Sequence, residues 1–134
     1  MNVDPPISPT SETFWDGTRE RQLILQWCTT CDRSIHHPRA RCPRCGNADL
    51  EWRPHDGHGR LHSWAVHPPA KDDDHGEEVM VAMVDLDAGP RMLTRLLGPT
   101  EDLEVDRHLR LCWLPLDDGR ALPCFELANA ASRR

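Results

Sequence analysis

The sequence predicts a mainly β protein with a short N-terminal helix, a two-knuckle metal ribbon and a small five-stranded barrel. Three observations support this fold class. Two Cys-x-x-Cys pairs are separated by ten residues, a spacing typical of a tetrahedral metal site. Ahead of them, residues 8–12 (SPTSE) carry the chemistry of a helix start. Beyond Gly57, strand-length segments are separated by Gly, Pro and Asp, as in small all-β barrels.

The helix is the first element and is predicted over residues 13–21, behind Ser and Thr capping residues and an acidic first turn. Phe14 and Trp15 lie on it, and two roles are open for these rings. Either they pack on the ribbon or barrel, or they anchor a partner protein, because exposed Trp is common at interaction hot spots.

The metal ribbon follows. Its flanking strands are predicted at 22–27 (QLILQW), which runs into the first knuckle, and at 50–52 after the second. The predicted metal ligands are Cys28, Cys31, Cys42 and Cys45. Four sulfur ligands in a tetrahedron suit zinc or iron, and we expect structural zinc. Two disulfides or four unrelated buried thiols are the alternatives, which the paired spacing disfavours in an intracellular chain.

The two knuckle turns differ in their backbone chemistry. In the second, Pro43 presets φ and Gly46 lets the backbone amides curl towards the sulfurs. Asp32 takes the corresponding place in the first turn, and Asp is among the few residues that tolerate positive φ. Because protein ligands fill all four positions, no position remains for a catalytic water, and the site is predicted to be structural.

The loop between the knuckles is rich in basic residues. These are Arg33, His36, His37, Arg39, Arg41 and Arg44. Two interpretations are open for them. They balance the negative charge of the thiolates as a solvated loop, or they form a small docking surface for an acidic partner or a phosphate.

The barrel strands are predicted at 60–67, 79–86, 91–97, 109–116 and 122–127, with Asp117-Asp118-Gly119 as a hairpin turn. The resulting division is an arm and helix at 1–21, the ribbon at 22–54, the barrel at 55–128 and a disordered tail at 129–134. Cys112 and Cys124, in the last two strands, are expected to be buried thiols in a reducing compartment.

Two barrel strands carry side chains with more than one use. Strand 79–86 is apolar on both faces, whereas a closed barrel has one interior. Its outer face is therefore expected to be covered by the ribbon, the helix or another chain. In strand 91–97, Leu93 shares a face with Arg91 and Arg95. Two interpretations are open for those guanidinium groups: they bind phosphates, or they lie in solvent.

Composition argues against several functions. A net charge of −6, a sequence pI near 5.7 and the absence of Tyr disfavour nucleic acid as a partner. The sequence contains no GxSxG elbow, P-loop or GxGxxG fingerprint, so no catalytic residue is assigned. Without a signal-like N-terminus or an apolar run long enough to span a membrane, a cytoplasmic protein is expected.

The histidines of the barrel region do not show a repeated metal-ligand spacing. They are His55, His58, His62, His67 and His75. We expect them to be exposed or hydrogen bonded within the fold.

The order of the parts resembles a known family. The segments that carry the resemblance are FWDGTRERQLILQWCTTC, HHPRARCPRCG, LEWRPHDGHGRLHSWAVHPP, VMVAMVDLDAGPRMLTRLLG and LEVDRHLRLCWLPLDDGRALPCFEL. Together they resemble the DUF35 family of OB-fold proteins with an N-terminal rubredoxin-like zinc ribbon. The resemblance implies an OB-fold for the barrel, a conserved place for Pro38, and glycines at 57 and 59 opening its first strand. The sequence departs from the family pattern at Asp32, Val79-Met80 and Asp106.

The same resemblance implies a function. Such proteins resemble non-catalytic accessory subunits or domains of thiolase-like or lipid-transfer-protein-like aldolases, and of MaoC-like hydratases. The partner would hold the catalytic residues and act on acyl-CoA, in steroid side-chain or fatty-acid degradation. Two other classes stay open: a rubredoxin-like iron electron carrier and an OB-fold nucleic-acid binder.

Physical features of the chain locate the expected contacts. The partner interface is expected at Phe14, Trp15, Val81, Met83 and Leu93. Contacts to CoA phosphates are expected at Arg91 and Arg95.

Overall fold

The structure, a computed structural model, describes residues 5–68, 78–87, 89–99 and 101–128. The polar segment at 71–77 (KDDDHGE), which includes His75, and the predicted tail at 129–134 lie outside these residues. The described chain is mostly β, with one short helix, a three-stranded sheet and a closed barrel. The elements are α1 (Glu12–Arg19), β1 (Leu23–Cys28), β2 (Arg33–Ile35), β3 (Leu50–His55), β4 (His58–His67), β5 (Val79–Leu86), β6 (Arg91–Leu97), β7 (His108–Pro115) and β8 (Ala121–Leu127).

Helix α1 begins one residue earlier than predicted and ends two residues earlier. Ser11 occupies the N-cap position, but its side chain makes no capping bond. Its Oγ instead accepts a hydrogen bond of 2.9 Å from the Ser8 backbone amide. The expected side-chain cap was therefore wrong, because the preceding turn competes for the same oxygen. The helix is held by its buried face, which contains Phe14 and Trp15.

The ribbon sheet has the order β2-β1-β3, with both pairs antiparallel. Strand β2 was not predicted, since three residues are too few to show an alternating pattern. It forms because β1 offers a free edge, on which Cys28 is paired with Arg33 and Gln26 with Ile35. This pairing folds the inter-knuckle loop back along the strand that carries the first ligand.

The barrel contains the five predicted strands, in the closed order β4-β5-β6-β8-β7. All neighbouring pairs are antiparallel except β6 and β8, and β4 closes the barrel on β7. Leu61, Val84, Met92, Leu109 and Phe125 fill its interior and are almost fully buried. Burial of such side chains stabilises a small domain by about 2 kcal/mol each.

Glycine is required where the ribbon enters the barrel. Gly57 has φ +79°, a conformation that is costly for residues with a Cβ. At Gly59 a Cβ would lie 2.7 Å from Val84 Cγ1 and 2.9 Å from the Asp85 carbonyl oxygen. The first barrel strand can therefore approach β5 closely only without a side chain at this position.

The last hairpin has a three-residue turn, closed by a hydrogen bond of 2.8 Å from the Leu116 amide to the Arg120 carbonyl oxygen. This turn places Cys112 directly opposite Cys124. Both are free thiols, and Cys124 is buried while Cys112 is half-buried. Burial raises the pKa of Cys124 to about 12.

Candidate metal centre and adjoining cavities

The four cysteines predicted as ligands meet at one point between the two knuckles. Their sulfur atoms all lie within 4.8 Å of one another. The Sγ atoms of Cys28 and Cys45 are 3.6 Å apart, and those of Cys31 and Cys42 are 3.8 Å apart. A tetrahedron with Zn–S bonds of about 2.3 Å has sulfur separations of about 3.8 Å. The donor set therefore fits a tetrahedral metal ion, which would hold the two knuckles together.

Backbone amides point at the sulfurs in both knuckles. The Cys31 amide donates to Cys28 Sγ at 3.4 Å, and this bond lowers the pKa of Cys28. In the second knuckle, the amides of Cys45 and Arg44 lower the pKa of Cys42 to about 6. The backbone amides of each turn thus favour the thiolate form of its first cysteine, whereas the neighbouring sulfurs and burial raise the pKa of Cys31 to about 12 and also raise that of Cys45.

The first knuckle has a residue with positive φ in the place of glycine. Asp32 has φ +55°, close to the +77° of Gly46 in the second knuckle. The expectation that Asp32 adopts the left-handed region is confirmed. Asp106, another position at which the sequence departs from the family pattern, has φ +71°. Asp can occupy both places because its short polar side chain is able to hydrogen bond locally in the left-handed region.

A cavity of about 360 Å³ lies between the helix and the outer face of the barrel. We call it the interface groove. Its walls include Phe14, Trp15, Val81, Leu93, Arg95 and Leu122. Of the twelve described residues that line the groove, five are ones for which the sequence predicted contacts. The other two predicted contact residues are not part of its lining: Met83 is half-buried on β5, and Arg91 borders a second cavity.

The helix rings are buried within the chain itself. Phe14 is 5% exposed and Trp15 is 9% exposed, and the two meet edge to face at 5.1 Å. The Arg120 guanidinium lies 4.7 Å from the centre of the Trp15 ring. Phe14 and Trp15 therefore form the floor of the groove, whereas Leu93, which is 62% exposed, lies at its rim.

The two arginines of β6 differ in their bonding. Arg91 Nε donates to Asp85 Oδ1 at 2.7 Å. Arg95 forms no ion pair with any described residue, and it is exposed beside the apolar wall of the groove. Both arginines were expected to contact CoA phosphates, but only Arg91 is already held by an ion pair within the described chain.

His36 was counted among the basic residues of the loop between the knuckles, and the expectation that it adds positive charge there was wrong. Burial lowers the pKa of His36 to about 4, so the ring is neutral at pH 7. Its Nδ1 atom is buried and has no hydrogen-bond partner among the described residues. The ring lies 5.9 Å from that of Phe14 and lines the groove. Loop sequence alone carries no sign of this burial, which depends on the packing of the helix.

A second cavity, of about 290 Å³, lies between the knuckles and the start of β6. We call it the arginine cavity. Its walls include Arg33, Arg39, Arg44, Arg91, Pro43 and Pro90. His36 borders both cavities.

The barrel histidines in the described chain behave as expected of structural residues. His55 Nε2 lies 3.3 Å from Ser34 Oγ, and His62 Nδ1 lies 3.5 Å from Asp85 Oδ2. His67 is exposed, and His58 is half-buried. The described residues contain no further cluster that would hold a metal ion.

A three-stranded ribbon with a closed four-cysteine site, joined to a closed five-stranded barrel, defines the class of zinc-ribbon OB-fold proteins. Two family models match the chain in that order. The "ChsH2, rubredoxin-like zinc ribbon domain" matches residues 15–51, and the "ChsH2, C-terminal OB-fold domain" matches residues 52–114. The chain belongs to the ChsH2 family of DUF35 proteins.

Two solved structures share this fold. The "Ltp2-ChsH2(DUF35) aldolase" contains a chain that is 30% identical, with a TM-score of 0.81, and the match covers 94% of this chain and all of that one. A DUF35 protein of unknown function from Sulfolobus solfataricus is 17% identical, with a TM-score of 0.62 over 90% of this chain and 86% of that one. The second match supports the fold alone.

A curated relative is considerably longer. The chain is 32% identical over 127 residues to the "Probable enoyl-CoA hydratase alpha subunit" of Thermomonospora curvata. The match covers 92% of this chain and 39% of the relative, so the chain spans about two fifths of that protein's length. Among the described residues, no helix combines the length and apolar character needed to span a membrane.

Proposed function

We propose that this chain is a non-catalytic accessory subunit or domain that binds and supports a thiolase-superfamily enzyme acting on acyl-CoA thioesters. The observation that carries the proposal is the interface groove. Phe14, Trp15, Val81 and Leu93, predicted as interface residues from separate parts of the sequence, line this one cavity. A mostly apolar cavity with an exposed leucine at its rim is suited to receive an apolar anchor from another protein.

The family relationship supports the same proposal. A chain of the Ltp2-ChsH2(DUF35) aldolase is matched over its whole length. We therefore propose a thiolase-like or lipid-transfer-protein-like retro-aldolase as the partner, in steroid side-chain or fatty-acid degradation in the cytoplasm. The catalytic residues would lie in that partner.

The metal centre fits a supporting role. Its four positions are taken by cysteine sulfur, which leaves no position for a substrate or a water nucleophile. We propose that zinc occupies it and stabilises the ribbon. Iron in the same ligand set would instead support an electron carrier, and visible absorption distinguishes the two because zinc has a filled d shell.

A MaoC-like hydratase is the second candidate partner. The relative named as a probable enoyl-CoA hydratase alpha subunit favours it, since 92% of this chain aligns within that protein. Both candidates act on CoA thioesters, and the accessory role is the same in each.

We also propose that Arg91 and Arg95 contact CoA phosphates when the partner is bound. Arg95 is the better placed, because it has no ion pair among the described residues and lies at the rim of the groove. Arg91 would have to share its guanidinium with Asp85.

The test is co-purification. The tagged chain is expressed with the thiolase-like and MaoC-like chains of its native host, and the complex is analysed by size-exclusion chromatography, mass spectrometry and metal analysis. We expect one stoichiometric enzyme chain and about one zinc ion per protomer. Recovery of folded, zinc-loaded chain without either enzyme would overturn the accessory role. Iron without an enzyme partner would point to electron transfer.

A further inference from the structure

We propose that the arginine cavity is a binding site for a phosphate group of a small molecule. The cavity is lined by four arginine residues from three separate parts of the chain, beside Cys31 and Cys42 of the metal centre. Arg33 is on β2, Arg39 and Arg44 are in the loop and second knuckle, and Arg91 begins β6. Planar guanidinium groups that converge on one concave space are suited to bidentate recognition of phosphate oxygens.

Three of these cations form no ion pair with a carboxylate of the described chain. No carboxylate forms an ion pair with Arg33, Arg39 or Arg44, whereas Arg91 is paired with Asp85. Nearby, Arg41 donates to the Gly46 carbonyl oxygen at 3.2 Å and so already has a partner. Two metal ligands, Cys31 and Cys42, line the same cavity, and their thiolates offset part of this positive charge. The four arginines outnumber these two thiolates and the Asp85 carboxylate, so the cavity keeps an excess of positive charge, which concentrates anions.

The backbone beneath each of these arginines is held in place. Two hydrogen bonds of 2.7 Å join the Arg39 backbone to the buried Gln26 side chain. Arg33 is paired in the sheet with Cys28, and Arg44 lies within a metal knuckle. Pro43 and Pro90 add rigid walls. Such preorganisation lowers the entropic cost of gathering several cations around one ligand.

This site differs from the groove proposed to receive the partner enzyme, although Arg91 also belongs to the CoA contacts proposed above. It requires no partner, so it can be tested on the isolated zinc-loaded chain. Failure of anion binding would leave the accessory role standing, and failure of co-purification would leave this site standing.

The experiment is isothermal titration of the full chain with inorganic phosphate, ADP and CoA as probes. We expect saturable binding of ADP, and affinity that falls as salt is raised. The triple variant Arg33→Gln, Arg39→Gln and Arg44→Gln is expected to lose at least tenfold in ADP affinity. If inorganic phosphate binds as tightly as ADP, the site recognises the phosphate group alone. If ADP or CoA binds more tightly than inorganic phosphate, the site recognises a phosphate carried by a nucleotide.

The matched control is Arg53→Gln, which removes one positive charge from β3 outside the cavity. Arg53 lies over Trp27 and is paired with Glu51. We expect this variant to bind ADP within twofold of the parent. Far-UV circular dichroism and zinc content verify that each variant is folded. Absence of saturable ADP binding, an equal loss in the control, or a triple variant that loses zinc but keeps its ADP affinity would overturn the proposal.

Discussion

Gln26 and Arg39 are joined by two hydrogen bonds of 2.7 Å, from the Gln26 side-chain amide to the Arg39 carbonyl oxygen and from the Arg39 amide to the Gln26 side-chain oxygen. Gln26 lies in β1, two residues before the first metal ligand, and is only 4% exposed. This pair therefore attaches the inter-knuckle loop to the sheet independently of the metal.

Replacing Gln26 with Leu tests this attachment. The change removes both bonds and leaves the amide and carbonyl of Arg39, an exposed residue, to bond with water. Each hydrogen bond contributes about 0.5–1.5 kcal/mol net, so the free energy of unfolding should fall by about 1–3 kcal/mol. The urea midpoint measures the loss. Gln22→Leu, at an exposed position, is the control and should change stability by less than about 0.5 kcal/mol. Equal effects of the two substitutions would show that the hydrogen bonds between Gln26 and Arg39 do not stabilise the fold.

Replacing Leu93 with Asp tests the interface groove. Leu93 is 62% exposed, so a charge there should leave the isolated chain folded while placing a charged group against the apolar part of the interface. We expect binding to the partner enzyme to weaken by at least tenfold, measured by titration of labelled partner. Val105→Asp is a matched control, since Val105 is also 62% exposed and is not part of the groove lining. Unchanged binding by the Leu93 variant would remove Leu93 from the interface.

Substitution at Cys28 tests the metal centre. Cys28→Ser removes one of four thiolates and should release the metal, because binding energy at such sites is largely folding energy, about 10 kcal/mol in small zinc peptides. We expect zinc content to fall below one per protomer and the ribbon to unfold. Cys112→Ser, at a half-buried thiol outside the centre, should retain full zinc. Elemental analysis after dialysis and circular dichroism give the readout, and zinc retention by the Cys28 variant would exclude it as a ligand.

His36 predicts a specific pH dependence. Its pKa is lowered to about 4 in the folded chain from 6.5, so the unfolded chain binds more protons between these values. Stability should therefore fall as the pH drops below about 6.5, by about 2 kcal/mol between pH 7.5 and pH 5, and this contribution should level off below pH 4. His36→Phe keeps a ring near Phe14 but cannot titrate, so its stability should fall less over the same range.

Urea unfolding at pH 7.5 and pH 5, with zinc content followed at each pH, measures the difference between the two proteins. His67→Phe, at an exposed position, is the control and should show the parental pH dependence. Identical pH profiles for the parent and the His36 variant would show that His36 does not titrate in this way.

The sequence by itself determined the parts of this protein that depend on local chemistry. The four ligands were predictable because knuckle turns need Cys at fixed spacing. The positive φ of Asp32 was predictable because this place in the knuckle favours glycine, and Asp is among the few other residues that tolerate positive φ. The five barrel strands were predictable because alternation and turn residues are local signals, and every predicted boundary lies within two residues of the observed one.

Only the tertiary structure decided which distant residues meet. Strand β2 exists because β1 offers a free edge, and its own three residues carry no strand pattern. His36 is neutral because the helix packs over it, although its sequence neighbours are basic. Phe14, Val81 and Leu93 form one groove because the helix packs on β1 and β8, and β6 lies beside β8 in the barrel. Burial and electrostatic environment are set by long-range contacts, which local sequence patterns do not encode.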